Sequence, residues 1–477
     1  MPVVLPLLIA MLGGILGILF GRVPLVRRYL AVALMICYSV SGIVLLVQVN
    51  EFGTQIMNLG AWDLPVGIKF RADQMSAAFV AVSGLVTLCS MCYQMGSHDA
   101  RKDEVGASAV TFFLLMGVTG VFLTNDLFNL YVWFEVILLS SFILLSLTGA
   151  QRSIRSAMHY VLMNLMGSMM FLTALGMIYA QTKVLDMSLL AEAHISGTSI
   201  ALLFCAFAIK AAVFPFSAWL PASYPAAPVA TAAVFAGLLT KVGIYCFYRV
   251  FATGSHINLT PELEAILPWL ALLSGVIGGL AALTQNDIRR CIAFLLASHV
   301  GLMMLGVTLG PSSALAYTLQ HMIVITALYL IVGYVVRVGG SYKLSELSGM
   351  GRTKPWLGSI FFVAGLAVIG VPPLSGFAPK IYLLQAAFIT ENGVALATVI
   401  TVGILTLAAV IRIWQKVFWG EPDPNPPVLH DRKQRQIAMV APMVFLLGIS
   451  IMLGLAATPF YTYTGVFQTK MSWGSEK

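Results

Sequence analysis

The sequence predicts an all-α polytopic membrane protein of about 14 transmembrane helices, with two inverted five-helix repeats and broken helices 7 and 12. Three observations carry this. Hydrophobic residues make up 59% of the 477 and charged residues 10%, with a mean hydropathy of +0.92. A soluble domain carries roughly 25% charged residues, so this chain cannot cover a water-facing surface, which excludes a free-standing soluble enzyme. Apolar runs of ~20 residues, the length that crosses a bilayer core, recur along the whole chain. Two of them, five spans apart, are interrupted by proline and each carries a lysine, the pattern of paired broken helices in inverted repeats.

Breaks at charges, Pro, Gly and Asn place the spans at approximately 3–20, 29–49, 74–96, 106–124, 126–148, 155–180, 198–219, 228–251, 263–284, 289–309, 313–336, 356–390 (interrupted), 394–418 and 437–457. The first has no basic segment before it and no small-residue cleavage site after it, so it reads as a span rather than a signal peptide. Residues 50–73 alternate apolar and polar around Gly and Asp-Leu-Pro, which predicts a small outside β-hairpin. Residues 184–194 predict a short interfacial amphipathic helix. Four units follow: 1–105, helices 1–3 with the hairpin; 106–251, the first repeat of helices 4–8; 262–418, the second repeat of helices 9–13; and 419–477, helix 14 and a tail.

The net charge of +8 reflects membrane orientation rather than nucleic-acid binding. Loops after odd spans hold Arg22, Arg27, Arg28, Arg101, Lys102, Arg152, Arg155, Arg289, Arg290, Arg337, Lys343, Arg352, Lys354, Arg432, Lys433 and Arg435, sixteen in all. The opposite side holds six: Lys69, Arg71, Lys183, Arg249, Lys470 and Lys477. The richer side is cytoplasmic by the positive-inside rule, and an even span count then puts both termini outside the cell membrane. The six cysteines lie in apolar segments, and the Cys89/Cys92 pair lacks a second CxxC or nearby His, so no metal or cofactor is expected.

Twenty-two basic residues sit in loops or at their edges, and five do not: Lys210, Lys241, Lys380, Arg412 and Lys416. The last two lie near the end of span 13 and can snorkel to the interface. Glu135, in NLYVWFEVILLSS, is their deep acidic counterpart. Placing Glu135 and three lysines against lipid costs on the order of 10 kcal/mol, so these four should face inward. Lys210 sits beside Pro215 and Pro221, and Lys380 beside Pro372, Pro373, Gly376 and Pro379. Broken backbone frees carbonyls and admits water where it is buried in protein. A lysine taken out of water holds its proton less firmly, and a neighbouring carboxylate reverses that, so the Glu135–Lys210 distance can act as a switch. Lys241 on the next span, then His299 and His321, continue a polar series toward Lys380; histidine relays protons near neutral pH. A static ion pair for Glu135, structural lysines and hydrogen-bonded packing histidines are the alternatives. Asp126, Asp287, Arg289 and Arg290 lie at membrane edges, where topology explains them, and His159, at the cytoplasmic start of span 6, could line an entry path, with an interfacial role the favoured reading. No P-loop, GxSxG or HExxH motif is present.

These residues lie in segments that resemble one family. NLYVWFEVILLSS, FAIKAAVFPFSAWLPASYPAAPVATAAVFAGLLTKVGIY, LTQNDIRRCIAFLLASHVG and GVPPLSGFAPK are similar to the antiporter-like subunits shared by respiratory complex I, membrane-bound hydrogenases and Mrp-type sodium/proton antiporters. YVWFEV and SHVG look most like the D subunit of the Mrp type. The resemblance implies a proton-translocating subunit working with other membrane subunits, and sodium as the exchanged ion. A redox-driven proton-pumping complex is the alternative. It implies that Glu135 pairs with Lys210, that Lys241 connects, that His299 and His321 belong to a central polar axis and that Lys380 ends the proton path. One position departs: many relatives carry lysine where this chain has Ile325. His321, with Tyr317 and water, would then bridge the two halves. Na⁺ wants oxygen ligands and only Glu135 is deep, so a sodium path in a partner subunit is expected.

Overall fold

The computed structural model of the chain describes residues 2–59, 67–97, 104–147, 151–190, 194–253, 257–421 and 433–457. Its helices are α1 (Leu5–Leu19), α2 (Pro24–Phe52), α3 (Gln74–Gly96), α4 (Glu104–Leu123), α5 (Leu127–Ser146), α6 (Gln151–Thr182), α7 (Gly197–Ala211), α8 (Trp219–Ser223), α9 (Val229–Phe247), α10 (Pro261–Thr284), α11 (Ile288–Thr308), α12 (Pro311–Gly339), α13 (Met350–Thr353), α14 (Pro355–Ile369), α15 (Phe377–Ile389), α16 (Gly393–Val417) and α17 (Lys433–Leu455). Among the described residues, twelve helical stretches are long and apolar enough to cross a membrane, while α1, α14 and α15 are apolar but shorter. The protein is an all-α membrane protein.

Side-chain pattern sorts these helices by depth. The spans of α9, α11 and α12 are 94%, 83% and 78% buried within the chain, against 33% for α2 and 39% for α6, α10, α16 and α17. A helix buried all round is the centre of a bundle, and one with a wide exposed apolar face meets lipid or a partner. The polar residues of interest sit on or beside the innermost helices.

Helix starts follow local chemistry. Asp73, Asp126, Ser196, Asp287 and Asn392 each accept a backbone N–H from the first turn of the helix they precede. Helix stops explain the two breaks. α7 ends at Ala212, which takes a left-handed φ of +60°, and the chain continues through short helical turns over 216–226. α14 ends at Gly370, φ +88°, a conformation that favours glycine. Six residues later Gly376 packs so close to the Ala367 carbonyl that a Cβ there would strike it. With 15 residues each, α7 and α14 are about 22 Å long and stop short of a ~30 Å core.

The predicted hairpin is present: β1 (Gln55–Leu59) pairs antiparallel with β2 (Ile68–Ala72), Gln55 opposite Ala72. Its tip, 60–66, lies outside the described residues, as do Arg101, Lys102, Arg432 and the tail from 458. The interfacial helix expected over 184–194 does not form across 184–190, which runs extended and then turns. Its backbone is already committed: Leu127 N–H donates to Leu185 O (2.9 Å) and Met187 N–H to Asn125 O (2.8 Å). Asp186 is also held, by the Asn125 amide at 3.3 Å and Lys69 at 3.7 Å. A helix would forfeit these partners.

A second ladder repeats this arrangement elsewhere. Ile288 N–H donates to Tyr342 O (2.9 Å) and Leu344 N–H to Asn286 O (2.7 Å). In both places an Asn-Asp pair precedes a helix, α5 or α11, and the Asp caps it. The segment beyond the following long helix, α6 or α12, closes the bridge.

Candidate functional site

The first break places Lys210 in the last turn of α7, buried. The carbonyl end of a helix carries partial negative charge, which favours an ammonium there. Lys210 Nζ donates to Asn164 Oδ1 of α6 at 3.4 Å and lies 5.4 Å from the centre of the Phe134 ring. Glu135, next to Phe134 on α5, is within electrostatic reach of Lys210. No ion pair closes between them among the described residues, and Glu135 Oε1 is buried without a hydrogen-bond partner. The expected Glu135–Lys210 ion pair is therefore not made in this structure, and Asn164 is the lysine's contact. Sequence reasoning misses Asn164, whose signal is a lone amide midway along an apolar span. Its own Nδ2 donates to Tyr160 O at 2.9 Å, which orients Oδ1 toward the lysine.

Lys241, on α9, is fully buried and donates to Ala236 O at 2.6 Å. It lies in electrostatic reach of both histidines, and so does Lys380. Lys210 bonds Asn164 and Lys241 bonds its own helix at Ala236 O, so no hydrogen bond among the described residues joins the two lysines.

The histidines are in direct contact across α11 and α12. His299 Nδ1 lies 2.8 Å from His321 Nε2, and His299 Nε2 lies 2.9 Å from Thr406 Oγ1 of α16. The Thr406 hydroxyl gives its hydrogen to Val402 O at 2.6 Å, so its oxygen accepts from His299. For neutral rings the network then assigns the tautomers. His299 carries its proton on Nε2, its Nδ1 accepts from His321 Nε2–H, and His321 Nδ1 is left as a bare acceptor. That atom is buried with no partner, as is the nearby Tyr317 hydroxyl, whose ring is 5.8 Å from that of His321. Ile325 is fully buried on the same helix.

Lys380 lies at the start of α15, and its Nζ reaches back across the break to Val368 O (3.1 Å) and Ile369 O (2.6 Å). These are last-turn carbonyls of α14, so the lysine caps the half-helix that ends at Gly370. Beside this break, Ser375 contacts Ser450 of α17 at 2.7 Å and donates to Gln320 Oε1 at 3.4 Å. Gln320 precedes His321.

The edge residues do what edges require. Arg289 pairs with Asp287 at 3.1 Å, and Arg412 donates to Gln285 O at 2.8 Å. His159 Nδ1 bonds the Arg155 carbonyl at 3.0 Å. Burial, helped by the charge of Asp186, pushes the Asp126 carboxyl above its ordinary value. Asp73 is different. Burial alone would raise its carboxyl, but Arg249, the Ser76 N–H and Arg71 outweigh it, and the net shift is downward. Arg249, expected at the outer edge of the span 228–251, is almost fully buried in the helical turn just past α9 and ion-paired to Asp73.

Known proteins share this arrangement of spans. The family described as NADH:quinone oxidoreductase/Mrp antiporter, transmembrane, matches residues 124–406. The chain is 35% identical to the D subunit of the Na(+)/H(+) antiporter of Alkalihalophilus pseudofirmus, over 97% of this chain and 95% of that one. Its fold matches a chain of the Mrp complex from Dietzia sp. with a TM-score of 0.87 at 26% identity, covering 98% and 96% of the two chains. It also matches a chain of respiratory complex I from Thermus thermophilus, TM-score 0.84 at 23% identity, covering 98% and 99%.

Proposed function

Since the chain belongs to the NADH:quinone oxidoreductase/Mrp antiporter family, we propose that it is the proton-translocating subunit of a multisubunit monovalent-cation/proton antiporter, with Na⁺ as the exchanged ion. It is a secondary transporter subunit of the cell membrane rather than an enzyme. Its partners are the other membrane subunits, one of which supplies the sodium path.

The observation that carries the reading is the His299–His321 contact between two buried lysines. A proton arriving at the bare Nδ1 of His321 lets Nε2–H pass to His299 Nδ1, a two-ring relay from the Lys241 side to the Lys380 side. Glu135 acts upstream: drawn onto Lys210 it holds the ammonium, and withdrawn it releases the proton. A proton passing between Lys210 and Lys241 would need water to carry it, since no side-chain hydrogen bond among the described residues joins them. The bland alternative, static packing, does not account for Glu135 Oε1 and His321 Nδ1, two buried atoms that each lack a hydrogen-bond partner.

Residues 106–251 and 262–418 are read as inverted repeats, after an N-terminal unit of 1–105 and before 419–477. Support comes from the matched Asn-Asp ladders and the matched breaks at Ala212 and Gly370. With α1 as a short span and α14–α15 as one broken crossing, fourteen crossings result. The two ladders then fall on opposite faces, and both termini face outward.

The test is cation-dependent proton transport in vesicles holding the whole complex, for wild type, Glu135→Ala, Lys210→Ala and Lys380→Ala, after assembly of each is shown. Added Na⁺ should collapse or build ΔpH in wild type and in none of the variants. Proton pumping driven only by an electron donor would favour a redox-driven complex, which the likeness to complex I keeps as the second reading. Normal transport by assembled variants would sink the axis.

A further inference from the structure

A cavity of about 240 Å³ opens where α6, α8 and α11 meet, away from the lysine–histidine series. Its polar lining is Arg155, His159 and Arg290, with Ser156, and its apolar wall is Pro221, Ala222 and Pro225. No carboxylate lines it, and neither arginine is ion-paired among the described residues. Asp287 is already engaged by Arg289. Two arginines lining one concavity form a site for an anion, since their forked donors match phosphate oxygens. They also argue against a cation or proton inlet, because like charge at a mouth repels what must pass.

The cavity does not stand alone. Arg155 and His159 are one turn apart on α6, and Leu162, on the same face one turn further, is 56% exposed. Ile154 and Met158 beside them are each 48% exposed. A cationic pocket thus runs into an uncovered apolar strip on one helix. That pairing complements a molecule with a phosphate at one end and hydrocarbon at the other.

We propose that the Arg155–His159–Arg290 cavity binds the phosphate headgroup of an anionic phospholipid, with an acyl chain lying along the Ile154–Met158–Leu162 strip of α6. The basic side of the positive-inside count places this at the cytoplasmic leaflet, where basic pockets between spans hold such headgroups. The wall prolines belong to the half-span after the Lys210 break, and Ser223 of that half-span donates to Ser156 O at 3.3 Å. The bound lipid braces that half-span against α6.

The experiment uses the intact complex in phosphatidylcholine nanodiscs containing a few per cent of a photoactivatable phosphatidylglycerol, with crosslinks mapped by mass spectrometry. Labelling of 154–162 is expected in wild type and in the control Arg352→Gln. It should fall about ten-fold or more in Arg155→Gln/Arg290→Gln. Ala222→Trp, which fills the cavity and keeps both charges, should lose it too. Should a variant not assemble, competition on wild type decides: unlabelled phosphatidylglycerol must displace the label, and inorganic phosphate and phosphatidylcholine must not. Displacement by inorganic phosphate makes this a free-phosphate site and overturns the lipid assignment. Absence of label, including through coverage of the cavity by an acidic segment of a neighbouring subunit, overturns it as well. Antiport activity is not the readout, so the outcome is independent of the proton-path reading.

Discussion

At the first break the Lys210 ammonium meets one side-chain amide at 3.4 Å and lies within reach of Glu135. At the second, Lys380 is gripped by two main-chain carbonyls at 3.1 and 2.6 Å, and among the described residues it makes no ion pair. Lys210 lies in the last turn of α7 and the Lys380 ammonium reaches the last turn of α14, so each meets the negative pole of a half-helix. What differs is the adjustable part. In the first half it is a carboxylate on a neighbouring helix, which can approach or retreat. In the second it is the shape of the break itself, since the capping carbonyls move only if the backbone does. The first half is thus built to be set by charge, the second by conformation.

The strongest way to break this comparison is to remove both lysines. Lys210→Ala or Lys380→Ala should each slow cation-driven proton flux by ~10²-fold or more. The double variant should be no slower than either single, because residues serving one path are not additive. Additive losses, measured in the same vesicles, would mean two independent paths. Glu135→Gln comes next. It keeps the shape and removes the charge, and flux should fall ~10-fold while thermal stability holds, because the carboxylate makes no ion pair. Gly370→Ala probes the second half alone. A Cβ there would lie 2.9 Å from Lys380 Cδ on a backbone at φ +88°, costing about 1–2 kcal/mol in a thermal melt and dislodging the lysine. Asn164→Leu should cost the first half about 1 kcal/mol, with flux reduced only a few-fold, since Glu135 still faces Lys210.

The smallest effects belong to the matched caps. Asp126→Asn keeps the cap and removes a carboxylate whose ionised form is disfavoured by burial and by Asp186. With its folded value raised, that charge subtracts from stability at neutral pH, so the variant should be neutral or slightly more stable than wild type at pH 7. The advantage should disappear as pH falls and Asp126 itself protonates. Asp287→Asn should lose up to about 1 kcal/mol instead, because it gives up Arg289. Equal melts for the two at pH 7 would blur the distinction between the halves at their ends.

Much of this is legible in the order of the amino acids alone. Apolar run length locates the spans, proline and glycine locate both breaks, and charge in lipid-length runs singles out Glu135, Lys210, Lys241 and Lys380. The hairpin follows from alternation. Pairing is not legible, because periodicity tells which face a residue occupies and not which helix that face meets. Asn164 and Thr406 therefore escape notice as partners, and Arg249 reads as a residue at a span's outer edge although Asp73, 176 residues away, draws it inside. The segment 184–190 misleads for the same reason: its amphipathic pattern is real, but its backbone is claimed by Asn125 and Leu127. The repeated Asn-Asp before α5 and α11 is visible in the letters and becomes meaningful only beside both bridges.

The capping of Lys380 bears on how many hydrogens its nitrogen can spare. An ammonium has three N–H bonds, and here two are committed to Val368 and Ile369. A neutral amine keeps two. Lys380 can therefore surrender its third hydrogen without breaking either contact, and the lone pair that results points away from the half-helix. The break holds the nitrogen still while its occupancy changes, so the direction in which a proton leaves or returns is decided by which of the three positions the backbone has left vacant.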